Sequence, residues 1–380
     1  MKSPSNIDRA AAIIADVRDT RRADDVIRAY FGRERTGSGQ VRREVAALVF
    51  DYYRWRGILD SKRSLPTKIR EARRLALNFS EDPGFVSSAD LRAVVPGWVE
   101  ETMPVTDEWL RSLQETPSLW LRFRNRGETI PSEFEDVLDR VHPSPGGGSF
   151  RYQGQRDLFR TESFQSGAFE IQDLSSQWVG AYCQPRPGET WWDVCAGEGG
   201  KFLDLADRME GRGTVWVTDR SKRRLTKLRQ RAARAEVFNY RWRQADLESE
   251  MPFKVSFHGV LIDAPCSGLG TWQRNPDARW SAKPGDIVEL AELQRKIVER
   301  SVARVARGGR LIYAVCTLAG AETQEIADWF DATFGEFEPC PLAEEGPPTC
   351  PGFKNSSARR WLGGLPKGGN GMFVAAWRRK

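Results

Sequence analysis

The chain has 380 residues, of which 40% are hydrophobic and 29% charged, a composition typical of a folded globular protein with about two or three domains. Six cysteines without a C-x-x-C pair and only two histidines exclude a disulfide framework, and they argue against a zinc site or a histidine base. No stretch approaches the roughly 20 apolar residues of a membrane span, so we expect a cytoplasmic protein.

The net charge of +6 is distributed unevenly. Residues 221–243 carry nine Lys or Arg and one acid, and residues 354–380 carry seven Lys or Arg and no acid. The rest of the chain is therefore net acidic. Two basic segments on an acidic protein favour a polyanionic partner, although one such segment alone is also typical of a solvated helix face.

The first part of the chain predicts helices. Val41, Val45, Leu48, Val49 and Tyr52 recur at the spacing that an amphipathic helix requires. Weaker patterns of the same period occupy residues 24–31, 67–77 and 107–113. We therefore expect an all-helical domain over residues 1–116.

The pattern changes in the next stretch. Residues 118–124 alternate in the manner of a strand, residues 133–141 indicate a helix, and a proline- and glycine-rich loop follows. Residues 117–163 are therefore predicted to form a small mixed α/β subdomain.

From residue 164 onward, strands and helices alternate. Strands are predicted at residues 191–194, 214–218, 237–241, 257–262, 310–315 and 372–377. Helices are predicted at 202–209, after Ser221, at 286–305 with a stop at Gly308-Gly309, and at 321–334. This alternation predicts an α/β domain over residues 164–380, with a parallel sheet covered by helices on both faces.

A glycine-rich turn follows the first of these strands. It consists of Cys195, Ala196, Gly197, Glu198, Gly199, Gly200 and Lys201. Glycines there let the backbone approach a ligand closely. Asp219 ends the next strand about 20 positions later, the offset at which a carboxylate accepts the ribose hydroxyls of a nucleoside cofactor. The alternative is an ordinary tight turn with a helix-capping Asp219.

Two further strands end in cysteines. Cys266 follows Asp263-Ala264-Pro265, and Cys316 follows Val315. Because the carboxyl ends of parallel strands line the ligand crevice, both thiols are expected to face one substrate. Thiolate addition to a pyrimidine, so that its neighbouring carbon can be methylated, uses such a pair and no metal. Taken singly, each cysteine is more often a small buried hydrophobe.

These motifs resemble a known family. Asp263-Ala-Pro-Cys-Ser-Gly-x-Gly270, Arg274-Asn-Pro-Asp-x-x-Trp280 and Tyr313-x-x-Cys-Thr-Leu318 are similar to motifs of the Sun-type RNA cytosine-5 methyltransferases, and within them of the bacterial ribosomal RNA small subunit methyltransferase B group. Residues 164–177, Leu293-Gln294 and 370–375 add to the likeness, which is strongest from residue 164 onward. The resemblance implies a Rossmann-like methyltransferase domain that uses S-adenosyl-L-methionine, and an N-terminal NusB-like RNA-binding domain.

The chain departs from the family pattern at three places. Gly197-Glu198 stands where the family usually has Ala-Pro, Phe202 where Thr is common, and Asn370 where Asp is usual. The carboxylate of Glu198 would either repel the methionine carboxylate of S-adenosylmethionine or face solvent.

The resemblance also implies residue roles. Cys316 corresponds to the nucleophile that attacks C6 of cytosine, Asp263 holds the base, Cys266 assists loss of the C5 proton, and Lys201 lies near that aspartate. Chemistry alone leaves open which cysteine attacks. The implied cofactor-binding residues are Cys195, Ala196, Gly197, Glu198, Gly199, Gly200, Lys201, Asp219, Arg224, Asp246 and Asp263.

The expected partner is structured RNA, 16S ribosomal RNA first and tRNA as an alternative. We expect a monomer that needs neither a metal nor a membrane. Two other functions stay open at this point: a non-catalytic RNA-binding assembly factor of the same fold, and a methyltransferase acting on an amino group, which would need no thiols.

Overall fold

The computed structural model describes residues 4–18, 21–33, 38–124, 130–142, 144–145, 148–365 and 367–380. The chain forms two compact units. The helical unit comprises Met1–Pro117, Thr271–Pro284 and Leu365–Lys367, and the sheet unit comprises Ser118–Gly270, Gly285–Gly364 and Gly368–Lys380. Within the described ranges, no helix is both long enough and apolar enough to cross a membrane. The three predicted domains stay a prediction. The helical unit also includes residues 271–284 and 365–367, and residues 118–163 belong to the sheet unit.

The helical unit has an all-helical core, as the sequence predicts. Its helices are α1 (Asn6–Asp16), α2 (Ala23–Arg33), α3 (Gly39–Trp55), α4 (Leu65–Glu81), α5 (Ser88–Arg92) and α6 (Asp107–Ser112). Ser5 forms a capping box with Asp8 at the start of α1, which satisfies backbone donors that a helix start leaves free. Val45 and Val49 of α3 are fully buried in one cluster with Ile13 of α1.

A segment distant in sequence completes this unit. We call Thr271–Pro284 the arm; it includes the motif Arg274–Trp280. Trp272 is fully buried against Trp98 and Trp109, with ring centroids 6.2 and 6.3 Å apart. The motif therefore serves the core of the helical unit, although it follows the loop of Cys266 in sequence.

Arg279 fixes the arm from inside the core. Its side chain is 0% exposed, and the guanidinium donates hydrogen bonds to the carbonyls of Leu113 at 2.6 Å, Trp272 at 3.1 Å and Arg54 at 3.4 Å. Burial lowers the pKa of Arg279 well below its ordinary value. Several carbonyl acceptors offset the cost of burying this cation.

Replacing Arg279 tests this arrangement. We expect Arg279→Met to lower the free energy of unfolding by about 2–4 kcal/mol, because buried carbonyls lose their donor. Arg63→Met is the control, since Arg63 forms an exposed ion pair with Asp60 and such pairs contribute less than about 1 kcal/mol. Urea denaturation measures both variants, and equal losses would contradict the role of Arg279.

A small antiparallel sheet opens the sheet unit. Its strands are β1 (Leu119–Phe123), β2 (Leu138–Arg140), β3 (Ser149–Tyr152) and β4 (Phe169–Ile171), in the order β2-β3-β1-β4. The strand predicted at 118–124 is confirmed. The helix predicted at 133–141 is wrong: a 3-10 turn at Ser132–Val137 buries Phe134, and the chain then extends so that Leu138 pairs with Tyr152. Because β4 completes this sheet, the small sheet crosses the predicted boundary at residue 163.

The large sheet confirms the predicted α/β fold. Its order is β10-β12-β9-β8-β5-β6-β7, and β11 pairs with β12. The strands are β5 (Thr190–Asp193), β6 (Thr214–Asp219), β7 (Tyr240–Gln244), β8 (Phe257–Asp263), β9 (Val305–Val315), β10 (Phe337–Pro339), β11 (Arg359–Leu362) and β12 (Met372–Arg379). Strands β5 to β9 pair in parallel, and β12 runs antiparallel to β9. The parallel strands place their carboxyl ends at one edge, where a ligand crevice forms.

The short helix α7 (Glu162–Gln165) packs its Phe164 into the core of the small sheet. The helices that cover the large sheet are α8 (Leu174–Cys183), α9 (Gly200–Arg208), α10 (Lys222–Arg234), α11 (Pro284–Val302) and α12 (Gln324–Thr333). The predicted glycine stop at Gly308-Gly309 is wrong, because α11 ends at Val302 and both glycines lie inside β9. The strand predicted at 237–241 begins three residues later, at Tyr240, because Val237 is buried in the connection that follows α10.

Candidate active site

The turn between β5 and α9 is tied to the next strand by Asp219. One oxygen of its carboxylate accepts a hydrogen bond from the Gly197 amide at 3.0 Å, and the other accepts from the Ser221 amide at 2.7 Å. Gly199 has a φ of +88°, and a Cβ there would lie 2.7 Å from Leu228. The turn therefore needs glycine at that position. Each Asp219 oxygen keeps acceptor capacity for a ligand.

A cavity of about 580 Å³ lies at the carboxyl ends of the parallel strands. The predicted site residues in its wall are Cys195, Ala196, Gly197, Glu198, Gly200, Lys201, Asp219, Arg224, Asp246, Asp263, Cys266 and Cys316. Gly199 lies outside the wall and acts through the shape of the turn. The wall also contains Ser176, Arg220, Arg231, Ala245, Leu247, Leu293 and Ile297, which the sequence analysis did not predict. Ser176 and Leu293 lie in segments that add to the family likeness but received no role, and apolar residues on α11 are also what core packing requires.

The two cysteines meet in this cavity. The sulfur atoms of Cys266 and Cys316 are 3.3 Å apart, as hydrogen-bonded thiol and thiolate groups would be. The hydrogen bond with Cys266, and then the nearby Lys201 ammonium, lower the pKa of Cys316 against the effects of burial and of Asp263. The same hydrogen bond, followed by burial, raises the pKa of Cys266 well above its usual range. The environment therefore favours a thiolate on Cys316 and a thiol on Cys266.

Lys201 and Asp263 form a partly buried ion pair beside the sulfurs. The Lys201 Nζ donates to Asp263 Oδ2 at 2.7 Å. Burial alone would lower the pKa of Lys201, but the Asp263 carboxylate more than offsets it, so the pKa is raised. Lys201 is thus a fixed cation at the cavity wall, and it lies next to Asp263 as the family resemblance implies.

The loop that carries Cys266 is braced by buried polar groups. Glu322 accepts from the Ser267 amide at 2.9 Å and from the Gln294 side-chain amide at 3.0 Å, and Gln294 also donates to the Pro265 carbonyl at 2.9 Å. The Tyr313 hydroxyl donates toward Gln294 Oε1, at 2.9 Å. Burial raises the pKa of Glu322. Sequence analysis missed Glu322, because a glutamate in a predicted helix is usually solvated.

The family model for 16S rRNA methyltransferase RsmB/F matches residues 181–378, just over half of the chain. The chain belongs to this family. A probable ribosomal RNA small subunit methyltransferase B from Synechocystis sp. is 38% identical over 169 residues, 44% of this chain and 38% of that protein. The ribosomal RNA small subunit methyltransferase B of Shewanella oneidensis is 30% identical over 243 residues, 60% of this chain and 56% of that protein. The matches thus span about two fifths to three fifths of these relatives.

Solved structures share the fold. The crystal structure of PH0851 matches with a TM-score of 0.79 and 21% identity, covering 100% of both chains. NSun6 from Pyrococcus horikoshii, solved with SFG, matches with a TM-score of 0.53 and 23% identity, covering 62% of this chain and 60% of that chain. The Rossmann-like methyltransferase fold that the family resemblance implies is confirmed. The NusB-like character of the helical unit stays a prediction.

The departures from the family pattern have structural counterparts. Glu198 forms an ion pair with Lys227 at 2.7 Å, and its backbone carbonyl accepts from Arg231 at 3.0 Å. The charge of Glu198 is therefore offset by a neighbouring cation, an arrangement that neither of the two expectations included. Phe202 is fully buried, with its ring centroid 5.0 Å from that of Tyr240.

Asp193 is a buried acid at the end of β5. Its side chain is 1% exposed, and Oδ1 has no hydrogen-bond partner within the described part of the chain. Burial, and then the charges of Asp263 and Asp219, raise the pKa of Asp193 to about 8. The folded protein therefore holds a proton that an unfolded aspartate releases near pH 4.

This proton predicts a pH dependence of stability. An acid with a raised folded-state pKa loses its stabilising contribution as pH rises from the unfolded to the folded value. The free energy of unfolding of Asp193→Asn minus that of wild type should therefore increase with pH. The increase should be up to about 1.4 kcal/mol per pH unit between about pH 4 and pH 8, and the difference should then level off. Urea denaturation across this range measures the difference. The exposed-site control Asp60→Asn should show no such trend, and a flat difference for Asp193→Asn would disprove the assignment.

Proposed function

We propose that the protein transfers a methyl group from S-adenosylmethionine to C5 of a cytosine in structured RNA, through a covalent cysteine adduct at C6. The main support is the 3.3 Å approach of the Cys266 and Cys316 sulfurs in the same cavity as the Lys201–Asp263 pair. Membership of an RNA methyltransferase family agrees with this chemistry. An amino-group methyltransferase would have no use for paired thiols.

The cavity fits the proposed cofactor. Its volume of about 580 Å³ lies within the range of small-molecule sites. Asp219 and Asp246 offer carboxylates for ribose hydroxyls, and Leu247, Leu293 and Ile297 supply apolar wall for an adenine ring. The cofactor would supply an activated methyl group. SFG, the ligand of the NSun6 structure, is an S-adenosylmethionine analogue and supports the same assignment.

The pKa directions suggest an order of events. The Cys316 thiolate adds to C6, which pushes an electron pair toward C5, while Asp263 accepts a hydrogen bond from the cytosine edge and Lys201 offsets negative charge. C5 then takes the methyl group. Bonding of the Cys316 sulfur to carbon removes the neighbour whose hydrogen bond and charge raise the pKa of Cys266. Cys266 can then lose its proton to solvent and take the proton from C5. The C5–H electron pair re-forms the C5–C6 double bond, and the C6–S bond breaks to return the Cys316 thiolate.

The substrate class follows from the chemistry and the relatives. Attack on the ring requires an unstacked base, so we propose a loop or a locally opened helix in RNA. The relatives' names support 16S ribosomal RNA as the first candidate, with tRNA as the alternative. Bisulfite mapping of ribosomal RNA and tRNA from cells with and without the gene would identify the modified cytosine.

The roles of the cysteines can be separated by trapping. Cys266→Ala should accumulate a covalent protein–RNA adduct on denaturing gels, because proton removal and release are blocked after attack. Cys316→Ala should form no adduct. Cys340→Ala is a control, since that thiol lies outside the cavity and its loss should leave turnover without a trapped species. The opposite pattern for Cys266 and Cys316 would reverse their roles, and no adduct from any variant would refute the covalent route.

The Glu198–Lys227 pair predicts charge effects on cofactor affinity. Glu198→Gln should tighten binding of S-adenosylmethionine about twofold to fivefold, because an unpaired Lys227 would favour its carboxylate, whereas Lys227→Met should weaken binding by a similar factor. Calorimetry measures both, with the exposed Glu210→Gln as control. If the wild-type protein did not bind S-adenosylmethionine at all, the result would instead favour a non-catalytic assembly factor.

A further inference from the structure

The basic segment 221–243 divides into two groups of cations. Lys227 pairs with Glu198, and Arg231 and Arg234 both pair with the buried Glu170. The charges of these cations are therefore offset within the protein. The C-terminal basic segment is used in a similar way, since Arg359 pairs with Asp328 and Asp331.

The second group is exposed. Lys222, Arg223 and Arg229 of α10 face solvent and have no carboxylate partner among the described residues. Arg241 on β7 is also exposed, but its guanidinium lies 4.8 Å from the Trp216 ring centroid, on the opposite face of the strand from Trp242, so it does not join this group. Arg243 pairs with Glu250, so the exposed side of α10, with Lys222, Arg223 and Arg229, is the part of segment 221–243 that keeps a positive charge.

Two large aromatic rings are exposed in and just before β7, next to α10 in sequence. Phe238, in the connection from α10 to β7, is 76% exposed, and Trp242 on β7 is 44% exposed. The Arg229 guanidinium lies 4.7 Å from the Trp242 ring centroid. Strand β7 is the last strand of the large sheet, so its outer edge has no neighbouring strand in the described structure. Exposed rings beside unpaired cations are the composition of a surface for single-stranded nucleic acid.

The helix also leads away from the candidate active site. Arg220 and Arg224, at the start of α10, line the cavity. Arg229 follows Arg224 by five positions, about 8 Å along the helix axis. A polyanion whose base enters the cavity can therefore continue along α10.

We propose that Lys222, Arg223, Arg229, Phe238 and Trp242 form a platform that binds a single-stranded stretch of the RNA substrate next to the target base. Phe238 and Trp242 stack on bases, and the cations contact phosphates. This inference rests on the proposed function for the identity of the RNA. The positive charge of the platform favours RNA as the partner. A protein partner is disfavoured because two isolated rings make too small an apolar patch for stable protein docking.

The test measures RNA affinity and methylation for variants of the platform. Trp242→Ala and Phe238→Ala should each weaken RNA binding about tenfold and raise the KM for RNA, while kcat and cofactor affinity stay at wild-type values. Trp242→Tyr keeps a stacking ring and should restore most of the affinity. Arg229→Ala should lower the slope of log affinity against log salt by about one.

Two matched controls lie in the same unit. Phe159→Ala removes another exposed aromatic ring, 60% exposed, and Arg307→Ala removes an exposed arginine on β9, four places from β7 in the strand order. Both should leave RNA affinity and the salt slope unchanged. Thermal denaturation confirms that each variant is folded.

Crosslinking gives a direct readout. After ultraviolet irradiation of the full-length protein with RNA and digestion at glutamate, the peptide 237–248 should carry nucleotide adducts. Wild-type affinity, salt slope and crosslinking in the Trp242→Ala and Arg229→Ala variants would overturn the platform, even if 5-methylcytosine forms normally. If wild type binds RNA through the platform but forms no 5-methylcytosine, the proposed function fails and the platform stands. Crosslinking to a protein partner in place of RNA would also overturn it.

Discussion

The hydrogen bond between the Cys266 and Cys316 sulfurs organises the chemistry of this site. It exists because β8 and β9 pair in parallel with Asp263 opposite Ala314, so that the residues just past both strand ends meet. One thiol stabilises the other as a thiolate, and the two sulfurs acquire opposite tendencies. Every proposed step depends on this difference between two chemically identical side chains.

The surrounding charges are arranged around the same edge of the sheet. Lys201 compensates Asp263, while Asp193 and Asp219 add two more acids nearby. An acid with no partner for one oxygen is costly, and Asp193 avoids the cost by retaining its proton. The site thus combines three acids in different states. Asp193 is neutral, Asp263 is ion-paired and Asp219 is bound to backbone amides.

The sequence predicts most of the residues at the carboxyl edge of the large sheet, but fewer of the residues that hold them in place. The strands around Asp193, Asp219 and Asp263 are continuous apolar runs that end in chemistry-bearing residues, so their positions could be inferred. Glu322 could not, since nothing local distinguishes a buried bracing glutamate from a solvated one. Residues 133–141 were mistaken for a helix because the pairing of Leu138 with Tyr152, which extends the chain there, is a tertiary contact. Gly308 and Gly309 likewise follow a helix in the sequence, as a helix stop would, but in the fold they lie inside β9.

The arm has a consequence for how the protein can be divided. Trp272 and Arg279 are encoded in the catalytic half of the gene, but their partners Trp98, Trp109 and Leu113 are encoded before it. A gene fragment for residues 118–380 would expose the Trp272 indole and deprive the Arg279 guanidinium of the Leu113 and Arg54 carbonyls. A chimaera that exchanges the N-terminal helices between relatives must therefore exchange residues 271–284 as well.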